Sequence, residues 1–127
     1  MRWFKHASDT LLQNLRALRP ELAQAAQEIY NGWQPEGEDG DFEFGGGGIC
    51  DAVANAMSSV IFSKIEDVEA DEYGHDGDDH AALVIKRGDE SYVVDIPAWV
   101  YETGGGYSWK KIPNVIIRPD DVFIGKL

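Results

Sequence analysis

The sequence predicts an α+β fold in which N-terminal helices and a central, cysteine-bearing helix pack on an antiparallel β-sheet. Three observations carry that expectation. Leu11, Leu12, Leu15 and Leu18, then Leu22, Ala26, Ile29, Tyr30 and Trp33, recur at helical spacing on either side of Pro20. Cys50, Val53, Ala54, Met57, Val60 and Ile61 fall at offsets of 0, 3, 4, 7, 10 and 11, which defines one face of a further helix. Beyond it, residues 80–86 (HAALVIK) and 91–96 (SYVVDI) are short β-branched runs separated by a turn sequence.

A chain of 127 residues with 43% hydrophobic content has the size and apolar material of one core. Residues 1–127 are therefore expected to form one domain, with a helical part over 1–33 and a core over 45–127.

Taken in order, Ser8 or Asp9 can cap the first helix, and Pro20, tolerated in a first helical turn, interrupts it and restarts a second at Pro20 and Glu21. The pair reads as a helical hairpin or a kinked helix. Residues 31–48 (NGWQPEGEDGDFEFGGGG) are too rich in glycine and acid to be regular and read as a surface loop. The helix over 49–63 follows at once, with Cys50 as the first residue of its apolar face. Residues 64–79 concentrate like charge, which self-repels and predicts a solvated loop. HAALVIK is apolar on both faces, as a central strand requires, and Arg87, Gly88, Asp89 and Glu90 form the turn into SYVVDI. After Pro97, AWVYE leads into the loop ETGGGYS, and Val115 to Ile117 with Val122 to Ile124 can add strands broken at Pro119.

Charge narrows the partners. Eleven Lys and Arg against 23 Asp and Glu give a net charge of -12, which repels nucleic-acid phosphate and anionic lipid and leaves a basic protein as the compatible macromolecule. A single cysteine cannot form an internal disulfide. The N-terminus lacks a continuous apolar segment of signal-peptide length, and no window approaches the roughly 20 apolar residues of a membrane span, so a cytoplasmic protein is expected.

The chemistry centres on Cys50. The thiolate is the reactive form of cysteine, and a helix start, with unpaired N–H groups and the positive end of the macrodipole, favours an anion. The four preceding glycines permit close backbone approach, so the same N–H groups can hold the oxyanion of a tetrahedral intermediate. Asp51 opposes this modestly and caps the helix. A symmetric turn centred on Gly88 and Asp89 pairs residues whose numbers sum to 177, which sets Lys86 opposite Ser91, Val84 opposite Val93 and Ala82 opposite Asp95. His80 then shares a face with Ala82 and lies diagonal to Asp95, within reach of a carboxylate–imidazole hydrogen bond. Asp95 would fix the tautomer of His80, and His80 would take the proton of Cys50.

The order Cys, His, Asp, with gaps of 30 and 15 residues, resembles the papain-like superfamily in its transglutaminase-like arrangement. The matching segments are GGGGICDAVANAM, DDHAALVI and ESYVVDIP, about half of the chain. The resemblance implies acyl transfer or amide hydrolysis through a thioester, with Cys50 as nucleophile, His80 as general base and acid, and Asp95 as orienter. It also implies a peptide or amide substrate, no cofactor and no metal, and its small size would suit a bacterial or phage peptidase. Papain-type proteases place an oxyanion-hole Gln shortly before the cysteine, but here that stretch is FEFGGGG and the nearest candidate is Gln34.

Blander readings stand beside this one. Cys50 can be a small buried core residue, and His80 a strand-end group neutralising Asp78 and Asp79. Asp95, between Val94 and Ile96, is expensive to bury without a partner. Asp71, Glu72, His75, Asp76, Asp78 and Asp79 could serve calcium or a similar cation with oxygen ligands, without the spacing and closing Glu of an EF-hand loop. GGGG lacks the Lys and Ser/Thr of a phosphate loop. Trp99, Tyr101, Tyr107 and Trp109 can wall a cleft or fill a core. The rival from another class is a catalytically inactive member of the same fold that binds a basic protein through its acidic loop and aromatic C-terminal half.

Overall fold

The computed structural model describes residues 10–33, 48–73, 81–103 and 110–127. Over these, the chain is a mixed α/β protein with three α-helices and a four-stranded antiparallel sheet, as the fold class anticipates.

Helix α1 (Leu11–Ala17) runs into α2 (Arg19–Gly32) through Leu18, which is the C-cap of one and the N-cap of the other. The cap of α1 is Thr10, not Ser8 or Asp9. Its Oγ1 accepts from the Gln13 N–H at 3.1 Å while Gln13 Oε1 accepts from the Thr10 N–H at 2.9 Å. That reciprocal capping box needs Gln three residues on, which selects Thr10 over its neighbours. Pro20 sits at the start of α2, where its missing N–H costs nothing. Leu11, Leu15 and Leu18 of the first stretch and Leu22, Ala26 and Tyr30 of the second are buried, as their spacing predicts. Helix α3 (Gly48–Lys64) buries Ile49, Cys50, Val53, Ala54, Met57 and Ile61, with Val60 half-buried.

The main sheet has the order β1 (Glu69–Tyr73), β2 (Ala82–Arg87), β3 (Glu90–Asp95), β6 (Phe123–Lys126), all antiparallel. Strand β2 is central and Ala82 to Ile85 are all buried. Within the loop expected over 64–79, Lys64 belongs to α3, residues 74–79 lie outside the described residues, and residues 69–73 are instead strand β1. Its charges suit an edge strand, since Glu69 lies opposite Lys86 and acidic side chains on an edge oppose further strand addition. The β2–β3 register is Leu83 with Val94, Val84 with Val93, Ile85 with Tyr92, Lys86 with Ser91, and Arg87 with Glu90. Every pair satisfies the rule read from the turn.

Gly88 occupies the turn at φ +60°. A Cβ there would meet no atom within 4 Å, so any substitution acts through backbone conformation alone. We expect Gly88→Ala to destabilise the protein by about 1 kcal/mol, read as a lower midpoint in urea with unchanged slope.

The C-terminal part departs from expectation in an instructive way. After a 3₁₀ turn at Ala98–Val100, β4 (Glu102–Thr103) pairs with β5 (Lys110–Lys111), while residues 115–117 form no strand. Side chains of α2 take the place of a neighbouring strand. Gln27 accepts from the Ile117 N–H at 2.6 Å and donates to the Val115 carbonyl at 3.1 Å. Tyr30 Oη accepts from the Val115 N–H at 3.0 Å and donates to the Ile112 carbonyl, and Arg19 Nε donates to the Val122 carbonyl at 3.1 Å. With its backbone groups satisfied by a helix, this segment needs no sheet partner. A turn at Pro119–Asp121 then delivers β6, one residue later than Val122.

The core lies between the helices and one face of the sheet, where Leu22, Ala26, Met57 and Ile61 join Leu83, Ile85, Val94, Ile96 and Ile124 in one apolar cluster. Among the described residues, no helix is long and apolar enough to cross a membrane.

Candidate active site

Cys50 is the third residue of α3 and therefore lies in its first turn, where N–H groups have no intrahelical acceptor. It is only 3% exposed. Its neighbours Ile49 and Val53 belong to the apolar cluster, but Cys50 does not. Cys50 is nonetheless one of the buried residues of the hydrophobic interior, a free cysteine.

Asp95 ends β3 and is half-buried. Extending the observed register by one step sets it opposite Ala82, the first residue of β2, and side-chain alternation puts it on the sheet face away from Val94 and Ile96. Its partner across the other edge is Phe123. A Cβ added to Gly125 would lie 2.5 Å from Cζ of the Phe123 ring, so that ring lies along its own strand over Gly125. The glycine makes room for the ring. His80 precedes β2 by two positions and lies outside the described residues, as do His75, Asp76, Asp78, Asp79, Tyr107 and Trp109.

Tyr101 links the helix start to the strand end. The chain leaves β3 through Pro97 and the 3₁₀ turn, which returns Tyr101 to the interior at 0% exposure. Burial raises its phenol above the ordinary tyrosine range, and the negative forms of Cys50, Glu102 and Asp95 raise it further. Cys50 and Asp95, far apart in sequence, therefore both lie within electrostatic reach of one phenol. Glu102, next along the chain, is itself 9% exposed. The Tyr101 carbonyl accepts from the Ile112 N–H at 2.9 Å, which anchors the backbone of this segment. By contrast, Trp99 is 77% exposed and presents its indole to solvent at the same end of β3.

Of the three side chains singled out in the sequence, two are described, and both act electrostatically on Tyr101, which the spacing alone does not nominate. Tyr101 was one of four aromatics assigned either to a cleft or to the core. Glu102 carried no signal, because a glutamate before a glycine loop reads as solvated. The chemistry available to this cluster is that of a thiol at a helix start, a carboxylate, and a protonated phenol, which suits nucleophilic attack with hydrogen-bond stabilisation of developing charge. Among the described residues no group of three or more His, Cys, Asp and Glu side chains is placed to hold a metal ion.

Comparison with family models, curated proteins and solved structures finds no match.

Proposed function

We propose that this chain is a cysteine-dependent hydrolase or acyltransferase acting on amide or peptide bonds, built on a papain-like core of the transglutaminase-like kind. Cys50 attacks the carbonyl, His80 accepts the thiol proton and delivers it to the leaving amine, and Asp95 holds the imidazole in the working tautomer. Water or a second amine then resolves the thioester. The observation that supports this reading is the place of Cys50 in the first turn of α3, where N–H groups without intrahelical acceptors can hold an oxyanion. The β2–β3 register supports it further, because the pairing rule that predicts Asp95 opposite Ala82 holds along the described ladder.

The test is the pH dependence of iodoacetamide alkylation at Cys50. His80→Ala is expected to slow alkylation by at least about tenfold and to change its pH profile. The absolute rate will be modest, because so little of Cys50 is exposed. A profile typical of a free thiol and identical in the two proteins would end the proposal.

A further inference from the structure

A groove of about 760 Å³ lies between the C-terminal half of α2 and the chain from Lys111 to Ile116, and neither Cys50 nor Asp95 lines it. The fold itself uses much of the polar wall. Tyr30 Oη serves Ile112 and Val115, and the Gln27 amide serves Val115, Ile117 and Asn31. Because Asn31 Oδ1 accepts from Gln27 Nε2 at 2.9 Å, the Asn31 amide keeps its NH₂ as a donor. Lys111 is the one cation in the lining. Its ammonium donates to the Trp33 carbonyl at 3.0 Å and stands 4.3 Å from the centroid of the Tyr30 ring. Glu102 is opposite Lys111 in the β4–β5 ladder, yet the ammonium reaches α2 and its cap, and among the described residues only Lys64 and Glu21 form an ion pair. A carbonyl and an aromatic face hold this charge in place without cancelling it. A turn at Pro113 and Asn114, with Asn114 at the φ of +61° that Asn tolerates, then brings Val115 and the exposed Ile116 into the same wall.

We propose that this groove binds a carboxylate attached to a short apolar group, with the carboxylate on Lys111 and Asn31 and the apolar part against Val115 and Ile116. The acceptors of Gln27, Tyr30 and Asn31 are already engaged, so α2 and Lys111 offer donors and the ligand must accept. One positive charge matches one negative charge, and the net charge of -12 opposes more highly charged anions such as phosphate. Two contacts restrain the Lys111 side chain beforehand, so binding forfeits less rotamer freedom than a mobile lysine would. The site is independent of the acyl reading. A small organic acid and the C-terminus of a peptide share this chemistry.

Titration of the nitrogen-15-labelled full chain with hexanoate, followed by amide NMR, tests the proposal. Saturable shifts are expected at the N–H groups of Asn31, Asn114, Val115 and Ile116, with a Kd on the order of 1 mM. Hexanamide, which has the same shape without the charge, and inorganic phosphate should each bind at least about tenfold more weakly. Lys111→Met keeps the stem, removes the charge and should weaken hexanoate by about tenfold while leaving hexanamide unchanged. N-acetyl-glycyl-leucine distinguishes the sources: binding tighter than that of hexanoate assigns the carboxylate to a peptide C-terminus, weaker binding assigns it to a small acid, and either supports the site. Equal binding of hexanoate and hexanamide overturns the inference, as do phosphate binding as tight as that of hexanoate, full hexanoate affinity in folded Lys111→Met, shifts gathered away from the groove, or no saturable shift with either acid. The comparison of acid with amide uses the wild type, so it decides the matter even if Lys111→Met fails to fold.

Discussion

Cys50→Ala should reduce p-nitrophenyl acetate hydrolysis to the rate of buffer alone, a loss of about 10³-fold or more, while the protein stays folded. The expectation follows from the single cysteine of the chain: no second thiol can take over the acyl group. The structural consequence is small. Cys50 is a small buried side chain in the first turn of α3, and alanine there keeps its Cβ and loses only the sulfur. A loss of about 1 kcal/mol for the missing sulfur is the expected scale. The measurement is initial rate beside a urea unfolding curve of the same preparation. Residual hydrolysis near the wild-type rate in a folded Cys50→Ala protein would show that Cys50 is not the nucleophile, whatever its surroundings.

The same local rules explain what was legible in the sequence and what was not. The β2–β3 register could be read by counting, because a two-residue turn at Gly88 and Asp89 admits only one pairing and Gly88 tolerates the positive φ that the turn demands. The helices were legible from spacing, since their apolar faces are continuous and the first break falls at Leu18, just before Pro20 in the first turn of α2. Strand β1 was not, because charge repulsion argues for a loop whenever the neighbouring strand is unknown. Once Lys86 stands opposite Glu69, the same charges become compatible with an edge. Residues 115–117 failed in the opposite direction. Their β-branched side chains suit a strand, but Gln27 and Tyr30, nearly a whole chain away, satisfy the backbone first. No local pattern encodes that competition.

The site divides along the same line. The residue types and order of Cys50 and Asp95 could be read because each departs from its surroundings, a thiol after four glycines and a carboxylate in an apolar strand. Tyr101 could not be singled out, since a tyrosine among Trp99, Val100 and Glu102 looks like any core aromatic. What distinguishes it is a hydroxyl with no partner among the described residues, which only coordinates reveal.

The largest effect on stability is expected from Ile61→Ala. Ile61 is fully buried in the last part of α3, within the cluster that also holds Leu22 of α2 and Leu83 and Ile85 of β2. Removing three carbons there loses transfer free energy and leaves a cavity that helices fixed on both sides cannot collapse, at a cost of about 3 kcal/mol. Against a total stability on the order of 5–15 kcal/mol for a domain of this kind, that is a large fraction. It should appear as a Tm lower by roughly 10 °C. The exposed ion pair between Lys64 and Glu21, at 3.7 Å, joins the same two helices but offers little compensation, because both partners are well solvated. Position 61 also lies about 16 Å along the helix axis from position 50 at the standard rise per residue. The lesion should therefore leave the pH profile of Cys50 alkylation unchanged at temperatures well below the lowered Tm. If Ile61→Ala instead altered that profile in the folded protein, α3 would be transmitting packing changes along its length to its first turn.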